Sequence, residues 1–83
     1  MAAFKNMAYT ETRTDAGHFY HFTGPCRVTG KQWTVAVPGK ELFQYQQGKL
    51  IQDAMKSVSN QDREFLITQI SPLGWQRLYP NEK

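Results

Sequence analysis

An α+β fold is predicted: a β-hairpin, with room for a third strand, followed by three or four short helices. Three observations predict it. β-branched and aromatic residues concentrate before residue 38, long unbranched side chains at helical spacing take over after it, and Pro38-Gly39 marks the change. With 83 residues, 40% of them apolar and 20% charged, the chain has material for one small core and is too apolar to be disordered.

Residues 1–17 mix small, polar and charged groups without a sustained period. They are expected to be a flexible arm, or an edge strand that orders on assembly, with residues 18–83 as the single globular domain. The planar run His18, Phe19, Tyr20, His21, Phe22 predicts a strand beginning at His18. Cys26-Arg27-Val28 and Gln32 to Val37 flank Thr29-Gly30, whose glycine suits a tight turn. That hairpin would set Val28 opposite Lys31 and Cys26 opposite Trp33, placing Cys26, Val28, Trp33, Val35 and Val37 on the core side.

Beyond Pro38-Gly39, Leu42, Phe43, Tyr45 and Gln46 predict a short helix capped at Gly48. Leu50, Ile51, Ala54, Met55 and Val58 recur at spacings of three and four, an amphipathic stripe that predicts a second helix ending near Ser57. Ser59, with Asp62 three residues on, is a weak capping box and opens a helix that buries Phe65, Leu66 and Ile70. Ser71-Pro72 opens the last, through Trp75, Leu78 and Tyr79, and Pro80 closes it.

The single cysteine, Cys26, has no intrachain disulfide partner, and nothing at the N-terminus reads as a secretory signal, so a cytoplasmic setting is expected. No run approaches the roughly 18 apolar residues of a membrane span, so no membrane partner is expected. Cys26, His18 and His21 fall short of the about four ligands of a structural zinc, and neither metal nor cofactor is expected. Small domains without disulfide or metal commonly gain stability by assembly, which makes a homodimer as much expected as a monomer. The net charge of +3 is too mild to identify a nucleic-acid binder by itself.

Catalytic constellations are weak. His18 and His21 stand three apart, which on a strand sends them to opposite faces, and Cys26 suits a small core position. No two acidic residues have the setting of a paired general acid and base. Val28-Thr29-Gly30-Lys31 lacks the earlier glycine and the following Ser or Thr of a phosphate loop. No enzymatic activity is expected, which leaves binding.

The candidate partner-binding residues are Phe19, Tyr20 and His21, for their aromatic density, Arg27 and Lys31 at the hairpin, and Arg63 beside Phe65 and Leu66. Opposed to this, Arg63 can pair with an acidic neighbour while Phe65 and Leu66 fill the core. Single-stranded nucleic acid is the alternative ligand, with Arg27, Lys31, Lys40, Lys49 and Lys56 among Phe19, Tyr20, Phe22 and Trp33. The opposing reading has Trp33 in the core and the lysines solvated.

Thr29-Gly30-Lys31, Gly48-Lys49-Leu50-Ile51-Gln52-Asp53-Ala54, Arg63-Glu64-Phe65-Leu66-Ile67-Thr68 and Trp75 with Leu78-Tyr79 together resemble small bacteriophage-encoded proteins of unassigned activity. The resemblance spans residues 24–80 and departs from that group near Lys56, Ser57 and Gln69, where proline or glycine is found instead. It transfers no functional residue. It implies a non-enzymatic accessory protein, acting in the host-cell cytoplasm, that binds and modulates a host protein, such as one of host defence, or that coats nucleic acid.

Overall fold

The computed structural model describes Phe4 and residues 7–80. Three antiparallel strands come first: β1 (Ala8–Thr14), β2 (Gly17–Pro25) and β3 (Gln32–Pro38), in spatial order β1-β2-β3. Four helices follow: α1 (Gly39–Gln46), α2 (Ile51–Ala54), α3 (Asn60–Thr68) and α4 (Pro72–Leu78). The α+β prediction therefore holds, with the third strand present.

That third strand corrects the boundary expected between residues 17 and 18. Thr14 pairs with Gly17 across the Asp15-Ala16 turn, and the ladder runs on to Ala8 opposite Thr23. The expected boundary thus cuts a hairpin, and Ala8–Thr14 forms its strand within the single chain. Two-residue periodicity is present in Thr10, Thr12 and Thr14, but it alternates polar with charged residues and so carries no hydrophobic signal. Phe4 also packs into the core, its ring 5.0 Å from Phe22 and 5.7 Å from Tyr45.

The β2–β3 register differs from the expected one. Gly24 pairs with Trp33 and Pro25 with Gln32, so Cys26 and Val28 lie in the connecting loop rather than in a strand. Cys26 N–H donates to the Lys31 carbonyl at 2.8 Å, and Gly30 N–H to the Cys26 carbonyl at 2.8 Å. Gly30 has the expected positive φ, 74°. The loop is held from outside the hairpin: Arg27 N–H donates to the Gln69 carbonyl, and the Gln69 side-chain amide to the Pro25 carbonyl, each at 2.9 Å. A reading of local turn chemistry has no access to such a constraint.

Alternation along the strands sends Phe22, Val35 and Val37 to one side of the sheet. There they join Leu42, Ala54, Met55, Val58, Phe65 and Leu66 in the core. Each of these side chains larger than Ala54 contributes roughly 1.5–3 kcal/mol when fully buried. Trp33 is half-buried at the margin, and its indole N–H donates to Asp62 at 3.1 Å. Asp62 therefore serves the sheet rather than reaching back as a capping box, while Ser59 caps α3 as expected, accepting from Asp62 N–H at 3.1 Å.

The second helix is one turn long, against an expected end near Ser57. Met55 leaves helical geometry at φ −109° and ψ 57°, and Ser57 is drawn to α1, where its N–H donates to Glu41 at 3.1 Å. Ala54, Met55 and Val58 are nonetheless buried, because the loop after α2 keeps them against the sheet. Leu50, read as part of the same stripe, is 66% exposed at the N-cap. Gly48, at φ 107°, is the expected stop after α1. Among the described residues no helix is long and apolar enough to cross a membrane.

Candidate functional site

The helices pack their core residues against the Phe22, Val35 and Val37 side of the sheet, and among the described residues no layer covers the other side. The middle strand β2 presents Phe19, His21 and Thr23 to that open side. In the register, Thr12 and Pro38 flank Phe19, Thr10 and Ala36 flank His21, and Ala8 and Thr34 flank Thr23. The result is a central ridge with one aromatic ring and one imidazole above a floor of threonine, alanine and proline. None of these residues is buried.

The open face is fixed by its own hydrogen bonds. His21 Nε2 lies 2.9 Å from Thr12 Oγ1, and the Thr23 and Thr34 hydroxyls are 2.8 Å apart across the β2–β3 pair. Cross-strand threonine pairs of this kind stabilise a sheet. No Asp, Glu, Lys or Arg from any of the three strands points to this side. Solvated sheet faces are ordinarily polar, and threonine there is unremarkable. A central phenylalanine with no charge beside it departs from that norm.

The sequence-predicted site residues are not brought together. Phe19 and His21 share the open face. Tyr20 points the other way, half-buried, with its ring 5.8 Å from Tyr9 and 4.7 Å from His18. Arg27 and Lys31 are exposed in the β2–β3 loop, at one end of the sheet.

Arg63 lies in the helical layer. Its guanidinium donates to the Gln52 and Met55 carbonyls, each at 3.2 Å, and to Asn60 Oδ1. It satisfies carbonyl oxygens left over at the end of α2, a positioning role, and its partners are these oxygens rather than the acidic neighbour expected. The threonines of the open face were missed in the sequence, although the spacing Thr10, Thr12, Thr14 is the signal that finds them.

His18 and His21 fall on opposite faces, as their spacing requires. His18 Nε2 lies 2.8 Å from Glu11 Oε1. Cys26 is in a third place, 2% exposed, where Sγ accepts from Ser71 N–H at 3.3 Å and Thr29 N–H at 3.4 Å. Burial pushes its thiol pKa up, but the hydrogen bonds from Ser71 and Thr29 outweigh that and bring it down to about 6. Among the described residues, no three His, Cys, Asp or Glu side chains gather as a metal site.

One groove of about 520 Å³ lies between α3 and α4, lined by Gln61, Glu64, Trp75 and Tyr79 among others. The Trp75 and Tyr79 rings stack at 6.0 Å. No protein-family model, curated protein or solved structure matches the chain.

Proposed function

We propose that the chain is a non-enzymatic binding protein that docks a partner protein against the open face of its sheet, centred on Phe19 and His21. What carries this reading is a sheet face that, among the described residues, has neither charge nor covering layer, with an aromatic ring on its middle strand. Burying uncharged surface around a rigid aromatic anchor is how protein interfaces gain affinity at their centres. The resemblance to small phage-encoded proteins supports a host protein as the partner, bound in the host cytoplasm.

Single-stranded nucleic acid fits this face less well. Phosphate binding depends on cations, and the lysine and arginine residues of the β2–β3 loop, Arg27 and Lys31, stand at one end of the sheet rather than on it. The experiment is capture of binding proteins by the purified chain, with nuclease treatment and with the variant Phe19→Ala/His21→Ala beside the parent. The expected result is a discrete protein that survives nuclease, is lost with the double variant and is retained across a wide range of salt. Retention indifferent to the double variant overturns the proposed face. Nuclease-sensitive retention that falls steeply with salt supports the nucleic-acid alternative.

A further inference from the structure

We infer that the free edge of β1 is a homodimerisation strand, pairing antiparallel with β1 of a second copy in a register centred on Thr12. Among the described residues, β2 is the only strand paired with β1. Six of the seven residues of β1, all but Tyr9, are exposed. The strand is seven residues long and contains no proline, glycine or lysine. Proline, bulges and charged side chains, lysine above all, keep sheet edges from pairing with other chains; of these β1 carries only Glu11 and Arg13, which are opposite in sign.

Backbone geometry restricts the possible registers. Thr14 and Gly17 pair across a two-residue turn, so they must exchange their own N–H and C=O groups. By alternation, Thr10, Thr12 and Thr14 bond inward to β2, and Tyr9, Glu11 and Arg13 direct their N–H and C=O groups to the free edge. A second copy must therefore set these outward residues against each other. A register centred on Glu11 opposes two carboxylates, and one centred on Arg13 opposes two guanidiniums. Centring on Thr12 sets Glu11 against Arg13 twice and Thr10 against Thr14 twice, with Thr12 facing itself.

The strand Thr10-Glu11-Thr12-Arg13-Thr14 is thus self-complementary in charge, in side-chain type and in hydrogen-bonding parity. The two-fold axis stands perpendicular to the sheet. Both helical layers lie on the same side of a six-stranded sheet, and the two open faces run together on the other. The edge is distinct from the face proposed above, so either can fail without the other.

Sedimentation equilibrium over a concentration series tests this on the full chain. The expected result is a monomer–dimer equilibrium that loosens with salt. Glu11→Arg and Arg13→Glu, each placing like charges opposite one another twice, should weaken it on the order of tenfold or more, and combining them should restore it. Arg13→Pro removes an outward N–H as well as the charge, without touching a bond to β2, and it should abolish the dimer where Arg13→Ala, which removes the charge alone, only weakens it. Circular dichroism of each variant shows whether the monomer is folded. A chain that stays monomeric at every concentration overturns the inference. So does a dimer indifferent to the folded charge variants and to Arg13→Pro, as pairing through β3 would give.

Discussion

Gly74 shows how closely single residues constrain this fold. A Cβ built on it would stand 2.7 Å from Cys26 Sγ and 2.8 Å from Ile70 Cγ2, closer than packed atoms tolerate. Gly74→Ala should therefore cost about 1–3 kcal/mol, read as a lower denaturation midpoint. The loss should be smaller when Gly74→Ala is introduced into Cys26→Ala, because the clash with Sγ is gone; equal losses in both backgrounds would refute the contact. Cys26 also makes stability depend on pH. Its folded pKa of about 6 lies below the ordinary 9.0, so the folded state favours the thiolate. The resulting stabilisation is complete above the unfolded pKa and lost as pH falls through about 6. Denaturant midpoints of the parent should rise from pH 6 to pH 9 relative to Cys26→Ala, and parallel profiles would count against it. The sequence identified Cys26 as a small buried residue, but its partners Ser71 and Thr29 were out of reach because one of them lies 45 positions away.

At the scale of elements, the caps were legible and the helix lengths were not. Ser59 and Ser71 both accept the amide three residues on, as their positions before α3 and α4 imply. Ser71 is the more costly to lose, since it is 2% exposed and its partner, the Gly74 amide, is buried with it. Ser71→Ala should cost about 1–2 kcal/mol and Ser59→Ala about 1 kcal/mol or less, and thermal melts ranking them in the opposite order would contradict this. The stripe from Leu50 to Val58 included the segment's buried residues Ala54, Met55 and Val58 but gave a helix twice too long. Burial at spacings of three and four is satisfied equally by one helical turn followed by a loop pinned at Ser57 and held by Arg63. Likewise the alternation of β3 was readable, whereas the β2–β3 loop, which shifts the register, is held by Gln69 from far along the chain. The candidate site was legible only in Phe19 and His21, because Tyr20, their neighbour, necessarily points to the opposite face.

For the whole molecule, class and chain order were readable because sheet and helices are segregated along the sequence. Their joining depends on a few large side chains: Phe65 from α3 meets Phe22, Val35 and Val37 in one core. Phe65→Ala should cost about 3–5 kcal/mol, close to the about 3–5 kcal/mol that a single core of this size supplies. The variant is expected to be largely unfolded by circular dichroism at room temperature, and a cooperative native melt near the parent midpoint would refute that. The order β1-β2-β3 is also the order of synthesis. The sheet can leave the ribosome complete while its apolar face waits for Phe65, an interval of roughly one to six seconds at about 5–20 residues per second. During that interval the nascent chain carries bare Phe22, Val35 and Val37. Chains stalled when residue 50 or so has emerged should accordingly recruit holdase chaperones, and chains stalled after residue 80 has emerged should release them.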